Sequence, residues 1–381
     1  MKAKKICYVT TISLSIKAFF IPQLKRLAEE GYSVTVVTSP DDKLQEMLGD
    51  KIRYIPVAMP RGISLGGSFR AVSALTELFR REQFDLVQYS TPNAALYASV
   101  AAKKVGIKVR NYHLMGLRFL GARGWMRALL KSLEKKACKH STHIECVSNS
   151  NLEIAIKEKL FPIEKATVVW NGSSGGVDLK RFDVSKRDVW RAEKRTQYAF
   201  DDRDFVYGFV GRATRDKGIQ ELFSAFRNIR KCQPGARLVL IGNLDDDHHL
   251  DEESVRMLAS GEVTHIRTVA DVEKYYPMLD ALVLPSYREG FGNVVIEAQA
   301  MGVPVVVSDI PGPTDAMVDG QTGYVVRVKD ADDLCEKMEK VVSKEIYARM
   351  SAAAVDYVKT HFDGETLCNY IVERKKELLG D

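Results

Sequence analysis

Glu289 and Glu297 bracket the stretch E-G-F-G-N-V-V-I-E, in which two carboxylates flank a glycine-rich turn. Directly before it runs the apolar segment A-L-V-L-P-S of residues 281–286. In an α/β protein that order reads as strand, tight loop and helix, so the first acid ends a buried strand and the second lies on the following helix. Such a loop offers backbone N–H groups and a helix N-terminus to an anion, while carboxylates accept hydrogen bonds from hydroxyls. A nucleotide sugar carries both features. Single glutamates at strand ends are mostly solvated, but here a second apolar run, V-P-V-V-V-S-D over 303–309, follows. The loop therefore falls between two parallel strands, where such folds bind ligands.

A second loop, G-R-A-T-R-D-K-G over 211–218, also follows an apolar run and precedes a helical pattern. Gly211 and Gly218 allow close backbone approach, and Arg212 and Lys217 offer a planar fork and a point charge suited to a diphosphate. The spacing is not that of a Walker loop. His113 ends a strand pattern, where a histidine is either a satisfied structural residue or a group that touches a reacting hydroxyl or donor sugar; His140 and His143 read as ordinary. Residues 245–249, D-D-D-H-H, have metal-ligating side chains, but neighbours on one loop rarely converge on a single ion. The expectation is a solvated loop, no metal and no cofactor.

The elements that must position these residues occupy 381 residues, too many for one ordinary core and enough for two α/β domains. Strands are expected over 5–11, 33–38, 52–57, 85–89, 108–113, 142–147 and 166–170, with helices over 17–30, 69–81, 94–104, 125–139 and 149–159. Residues 171–202 read as a connector. A second series places strands over 205–211, 237–241, 264–267, 281–284, 303–308 and 323–327, and helices over 218–230, 272–278, 294–301, 343–360 and 364–379. The six cysteines are scattered without C-x-x-C pairs, which fits a reducing compartment. The start carries no signal-peptide pattern and no stretch makes a membrane span, so a cytoplasmic protein is expected. Charge is uneven: residues 1–195 hold 34 Lys and Arg against 18 Asp and Glu, the remainder 22 against 32. A basic front half suggests an anionic partner. Its densest helix, over 125–139, sets Met126, Leu129, Leu130 and Leu133 on one face with cations around it, a pattern of a helix docked on its own domain or lying on a membrane.

Together these motifs resemble the retaining nucleotide-sugar glycosyltransferases of family 4, over nearly the whole chain. The resemblance rests on Gly211, Arg212, Lys217 and Gly218, on D-V-E-K-Y-Y at 271–276, on Glu289 to Glu297, on G-V-P-V-V at 302–306, on His113, and on N-G-S with V-D-L-K-R-F over 171–182. It implies an α/β GT-B fold: two Rossmann-like doubly wound domains facing across a cleft, an acceptor domain over 1–195, a donor domain over 196–360, and a final helix over 361–381 packing back on the first. It implies that Glu297 binds ribose hydroxyls, Glu289 the donor sugar, Arg212 and Lys217 the diphosphate, and Gly211 and Gly290, Phe291, Gly292 and Asn293 the sugar and phosphate region, with the base near Val269. Where many relatives carry a glycine pair in the first loop, this chain has T-I-S-L-S over 11–15. Front-domain contact with the donor phosphate is then through backbone, through Ser13 and Ser15, or slight, and the resemblance puts Ser13, Ser15 and His113 on the acceptor side. The implied activity is metal-independent transfer from a nucleotide diphosphate sugar, UDP-linked by the same resemblance, to a glycan or polyprenyl-diphosphate-linked acceptor in surface-polysaccharide synthesis, at an anionic membrane surface. A nucleotide-sugar epimerase of the same fold is the alternative. A nucleic-acid binder is disfavoured by the absence of a known module and by the acidic back half.

Overall fold

The computed structural model describes residues 3–62, 64–244 and 250–381. The chain divides into two units, Met1–Gly175 with Glu365–Asp381, and Gly176–Gly364. The first is built on a parallel sheet of β1 (Lys5–Val9), β2 (Ser33–Thr38), β3 (Ile52–Pro56), β4 (Leu86–Ser90), β5 (Val109–Leu114), β6 (His143–Cys146) and β7 (Ala166–Val168), in the order β3-β2-β1-β4-β5-β6-β7. Alternation along β1 sends its side chains to opposite layers. Cys7 and Val9 join a core with Leu75, Phe79 and Tyr97, whereas Ile6 and Tyr8 join Phe20, Leu24, Leu27 and Val372. Val372 lies on the final helix, Gly364–Leu379, so that helix completes the second layer of the first unit.

The second unit repeats the plan with β8 (Phe205–Val210), β9 (Ala236–Ile241), β10 (Val263–Ile266), β11 (Ala281–Leu284), β12 (Val305–Ser308) and β13 (Gly323–Val326), ordered β10-β9-β8-β11-β12-β13 and parallel throughout. The chain enters and leaves this unit side by side: Val177 N–H donates to the Phe362 carbonyl at 2.8 Å, and Gly364 N–H to the Val177 carbonyl at 2.8 Å.

Three expected elements differ. The charged run inside the expected connector is a helix, Arg187–Gln197, within the second unit, and the boundary expected at 195 and 196 falls inside it. Its cations turn inward: Arg191 and Arg195 each bond Asp280 at 2.6 Å, so a sequence that reads as solvated is anchored by a buried carboxylate. Residues 272–278 form two 3-10 turns rather than one α-helix, with Pro277 in the second, where its missing N–H forbids continuation. The expected helix over 17–30 opens with a π turn, Ile16–Phe20, before Ile21–Glu29. Pro22 supplies no N–H to that ladder and its ring crowds the preceding turn, which widens.

Candidate active site

In the second unit the strand order reverses between β8 and β11, and ligands of open α/β sheets bind beyond the strand ends at such a point. The loops leaving these two strands carry Lys217 and Glu289, and they are laced together. Tyr287 N–H donates to the Asp216 carbonyl at 2.8 Å, and Arg288 pairs with Asp216 at 2.6 Å. Gly218 permits this closeness: its φ is +68°, and a Cβ there would lie 2.0 Å from the Pro285 carbonyl oxygen. The approach that this glycine allows is thus to the neighbouring loop. Across the junction Lys217 Nζ donates to Glu289 Oε1 at 2.5 Å, and Ser286 Oγ donates to the same oxygen at 2.8 Å. Arg212 stands exposed in the turn after Gly211.

Gly292, at φ +85°, turns the chain into the helix Asn293–Ala300, with Asn293 as its first residue. Phe291 is buried, edge-on to Phe362 at 5.4 Å, so its ring belongs to the core and only its backbone is left for a ligand. One helical face on, the half-buried Glu297 accepts a hydrogen bond from Tyr276 Oη at 2.7 Å. Burial pushes the Glu297 carboxyl above its ordinary range, against the Tyr276 bond, which lowers it. Near the expected base region, half-buried Val269 precedes Ala270, whose carbonyl accepts from Arg181 at 2.9 Å; Arg181 also pairs with Glu273 at 2.7 Å. Tyr276 and Ser286 stood in stretches that the sequence analysis quoted but were given no role there, and Arg181 was not singled out. A role for Ser286 was findable, three residues before Glu289 in the same loop.

In the first unit His113 ends β5, buried. Its Nε2 lies 3.3 Å from Ser174 Oγ, and Phe20 meets the ring edge-on at 5.5 Å. Burial, the largest influence, pulls its pKa down to about 4, so the imidazole is neutral. Ser13 is engaged elsewhere: its hydroxyl donates to Asp41, which also takes Lys17 at 2.7 Å. Lys17 and Ser13, the leading influences, hold the Asp41 carboxyl down at about 2. Ser15 is half-buried in the same short turn, Ser13–Ser15. The Ser13 hydroxyl thus helps to order this loop through Asp41 while its lone pairs stay available as acceptors.

The helix Gly124–His140 buries Glu134, Ala137 and Cys138, leaving the expected apolar face of Met126, Leu129, Leu130 and Leu133 only half-buried. Trp125 is 73% exposed. Arg127 and Lys131 both bond Glu158, at 2.7 and 2.6 Å, which offsets part of the helix's charge. No helix of the described residues is long and apolar enough to cross a membrane. Among the described residues no group of three His, Cys, Asp or Glu side chains is arranged to hold a metal ion, and residues 245–249 lie outside them.

Comparison with known proteins covers both units. Residues 23–175 match the family described as "Glycosyltransferase Family 4" and residues 191–357 that described as "Glycosyl transferases group 1". The chain is 32% identical to the capsular polysaccharide biosynthesis glycosyltransferase CapM of Staphylococcus aureus, over 91% of this chain and 89% of that protein. It is 24% identical to the UDP-Gal:alpha-D-GlcNAc-diphosphoundecaprenol alpha-1,3-galactosyltransferase of Escherichia coli, over 91% and 90%. The crystal structure of Anabaena Alr3699/HepE in complex with UDP superposes with a TM-score of 0.78 at 18% identity, covering 98% of this chain and 100% of that one.

Proposed function

Since the chain belongs to the glycosyltransferases of family 4 and group 1, with the GT-B fold, we propose that it moves a sugar with retention from a UDP-linked donor to a polyprenyl-diphosphate-linked or glycan acceptor in surface-polysaccharide synthesis. The observation that carries this reading is the Lys217–Glu289 contact at the switch point of the second unit, a cation for phosphate beside a carboxylate for sugar hydroxyls. The names of the S. aureus and E. coli relatives support the pathway class, the UDP donor and the lipid-linked acceptor.

In the proposed step the bond from the anomeric carbon to the diphosphate oxygen breaks while a bond to the acceptor oxygen forms on the same face. The acceptor's proton passes to the leaving phosphate oxygen. Arg212 and Lys217 stabilise the charge growing on that phosphate, a preorganised electrostatic contribution. Glu289 orients the sugar through its hydroxyls, Glu297 binds the ribose, the turn at Gly211 and the backbone of Gly290, Phe291, Gly292 and Asn293 line the sugar and phosphate, and Val269 borders the base. On the first unit, neutral His113 meets a substrate hydroxyl, and Ser13 and Ser15 lie on the acceptor side. No metal or other cofactor takes part, because the two cations do the work that a divalent ion does elsewhere. The protein works from the cytoplasm at the anionic inner face of the membrane.

A panel of UDP-sugars tested with a diphosphoundecaprenol-linked sugar acceptor, with product stereochemistry read by NMR, tests the reading. The expected result is acceptor-dependent transfer with retained configuration, unchanged by EDTA. Donor turnover without any acceptor would instead identify an epimerase, and loss of activity in EDTA with rescue by one divalent ion would restore the metal reading.

A further inference from the structure

One buried group of charges in the first unit lies outside the donor site. Lys375, on the final helix, is fully buried and donates to both oxygens of Glu145 at 2.8 Å; Glu145, in β6, is 3% exposed. Burial alone would push the Glu145 carboxyl up, but Lys375 brings it below its ordinary range, and the two short bonds fix the charged pair. Glu145 Oε2 in turn stands 3.9 Å from Nδ1 of His113, and that nitrogen has no hydrogen-bond partner among the described residues.

We propose that the Glu145–Lys375 pair positions His113 by fixing its tautomer, with the proton on Nδ1 and the lone pair on Nε2, so that Nε2 accepts a hydrogen bond from a substrate hydroxyl. This rests on the reading that His113 meets substrate. A separation of 3.9 Å is too long for a hydrogen bond, yet the two tautomers differ sharply beside a buried anion. An Nδ1–H bond directs its positive end at the carboxylate, whereas an Nδ1 lone pair would oppose it. Ser174 does not decide the matter, because a hydroxyl at 3.3 Å serves either form of Nε2. Phe20, edge-on at 75°, packs on the ring and holds its orientation. Lys375 is required in the arrangement: without an ammonium beside it, a carboxyl at this depth takes up a proton and its field on the ring is lost. The consequence is chemical selectivity. A ring that presents a lone pair reads a hydroxyl, and rejects a carbonyl or ether oxygen that has no proton to give.

The test is ¹⁵N NMR of histidine-labelled protein, with the His113 signals assigned by their loss in His113→Asn. Wild type is expected to show a protonated Nδ1 and an unprotonated Nε2. Glu145→Gln alone leaves an ammonium buried without its partner and is prone to unfold. The variant of choice is therefore Glu145→Gln with Lys375→Met, which removes both charges. In it the Nε2–H form is expected to appear, with kcat reduced about tenfold and UDP affinity unchanged, since the nucleotide is held by the second unit. Nε2–H already dominant in wild type, a measurement that needs no variant, would overturn the proposal, as would an unchanged tautomer in the double variant. A shifted tautomer with unaltered turnover would support the control of the ring by the pair while refuting the contact of His113 with substrate.

Discussion

Replacing Glu289 with Gln is expected to tighten UDP binding while slowing transfer. In the structure Lys217 and Glu289 satisfy one another at 2.5 Å, with side chains only 20% and 13% exposed, so an incoming diphosphate has to share Lys217 with a carboxylate. The gross attraction of unit charges at such a site is about 4 kcal/mol at 4 Å separation. Net contributions of hydrogen bonds to charged groups are smaller, about 1.5–3 kcal/mol. Glutamine keeps the Ser286 contact and part of the Lys217 contact, so the lower end applies, and about 1.4 kcal/mol corresponds to a tenfold fall in Kd. Transfer falls because the amide no longer presents two anionic oxygens to sugar hydroxyls.

Calorimetry with UDP at physiological salt measures this, since the Debye length of about 8 Å damps distant charges but not the contact itself. The decisive comparison is a double-mutant cycle with Lys217→Ala. Lys217→Ala alone is expected to weaken UDP, and adding Glu289→Gln to it is expected to give no gain. A gain that persists without Lys217 would mean that Glu289 merely repels phosphate. Unchanged or weaker binding by Glu289→Gln alone would refute the competition outright.

The Arg212→Ala, Lys217→Ala double variant is expected to lose about 10²-fold or more in kcat, and near-normal turnover would remove both from leaving-group stabilisation. Glu297→Gln is expected to weaken UDP binding, and equal affinity by calorimetry would end the ribose assignment. Two buried groups give opposing pH slopes of stability. His113, held down to about 4 by burial, stays neutral in the fold while the unfolded ring protonates, so stability falls as pH drops from 6.5 to 4. Glu134, raised to about 7 by burial, contributes stability that is present below about 4.5 and lost as pH rises through 7. Each is worth about 3 kcal/mol, so urea melts of wild type are expected to change little between pH 4.5 and 6.5, to rise with pH in Glu134→Gln and to fall with pH in His113→Asn; parallel curves for all three would contradict both assignments. In flotation assays the protein is expected to bind anionic vesicles at low salt and release as salt rises. Changing Arg127, Lys131, Lys135 and Lys139 to Gln is expected to weaken that binding, and indifference to anionic vesicles would remove the membrane contact while leaving the transferase assignment in place.

Strands were legible because parallel sheets bury both faces and so read as apolar runs: β2 and β11 fall on residues 33–38 and 281–284 as expected. Four helices, Leu44–Leu48, Arg187–Gln197, Glu252–Ala259 and Ala331–Val341, were not. Two of them carried a readable signal, since Asp251 and Asp330 cap their N-termini through Ser254 and Asp333 N–H, the Asp-x-x pattern of a helix start. Arg187–Gln197 carried none, because its anchor, Asp280, lies far along the chain. At the candidate site Lys217 and Glu289 were each visible as residues of glycine-rich loops. Their pairing was not, since a separation of 72 positions says nothing of distance until the strand order is known.

The same limit applied to Glu145 and Lys375, although one clue was present. Leu367, Ile371, Val372 and Lys375 are the buried residues of the final helix, so a lysine occupies a place in its apolar stripe. A buried ammonium requires a partner, and an acid inside the short strand pattern H-I-E-C of 143–146 requires one as well. Two such misfits in one unit satisfy each other, and any other docking of the final helix would strand both charges in the core. The cost of breaking a buried pair, about 3–5 kcal/mol, is large against the stability of a domain. The pair thus selects one docked position for the helix, and that position keeps charged the carboxylate that strand register sets beside His113.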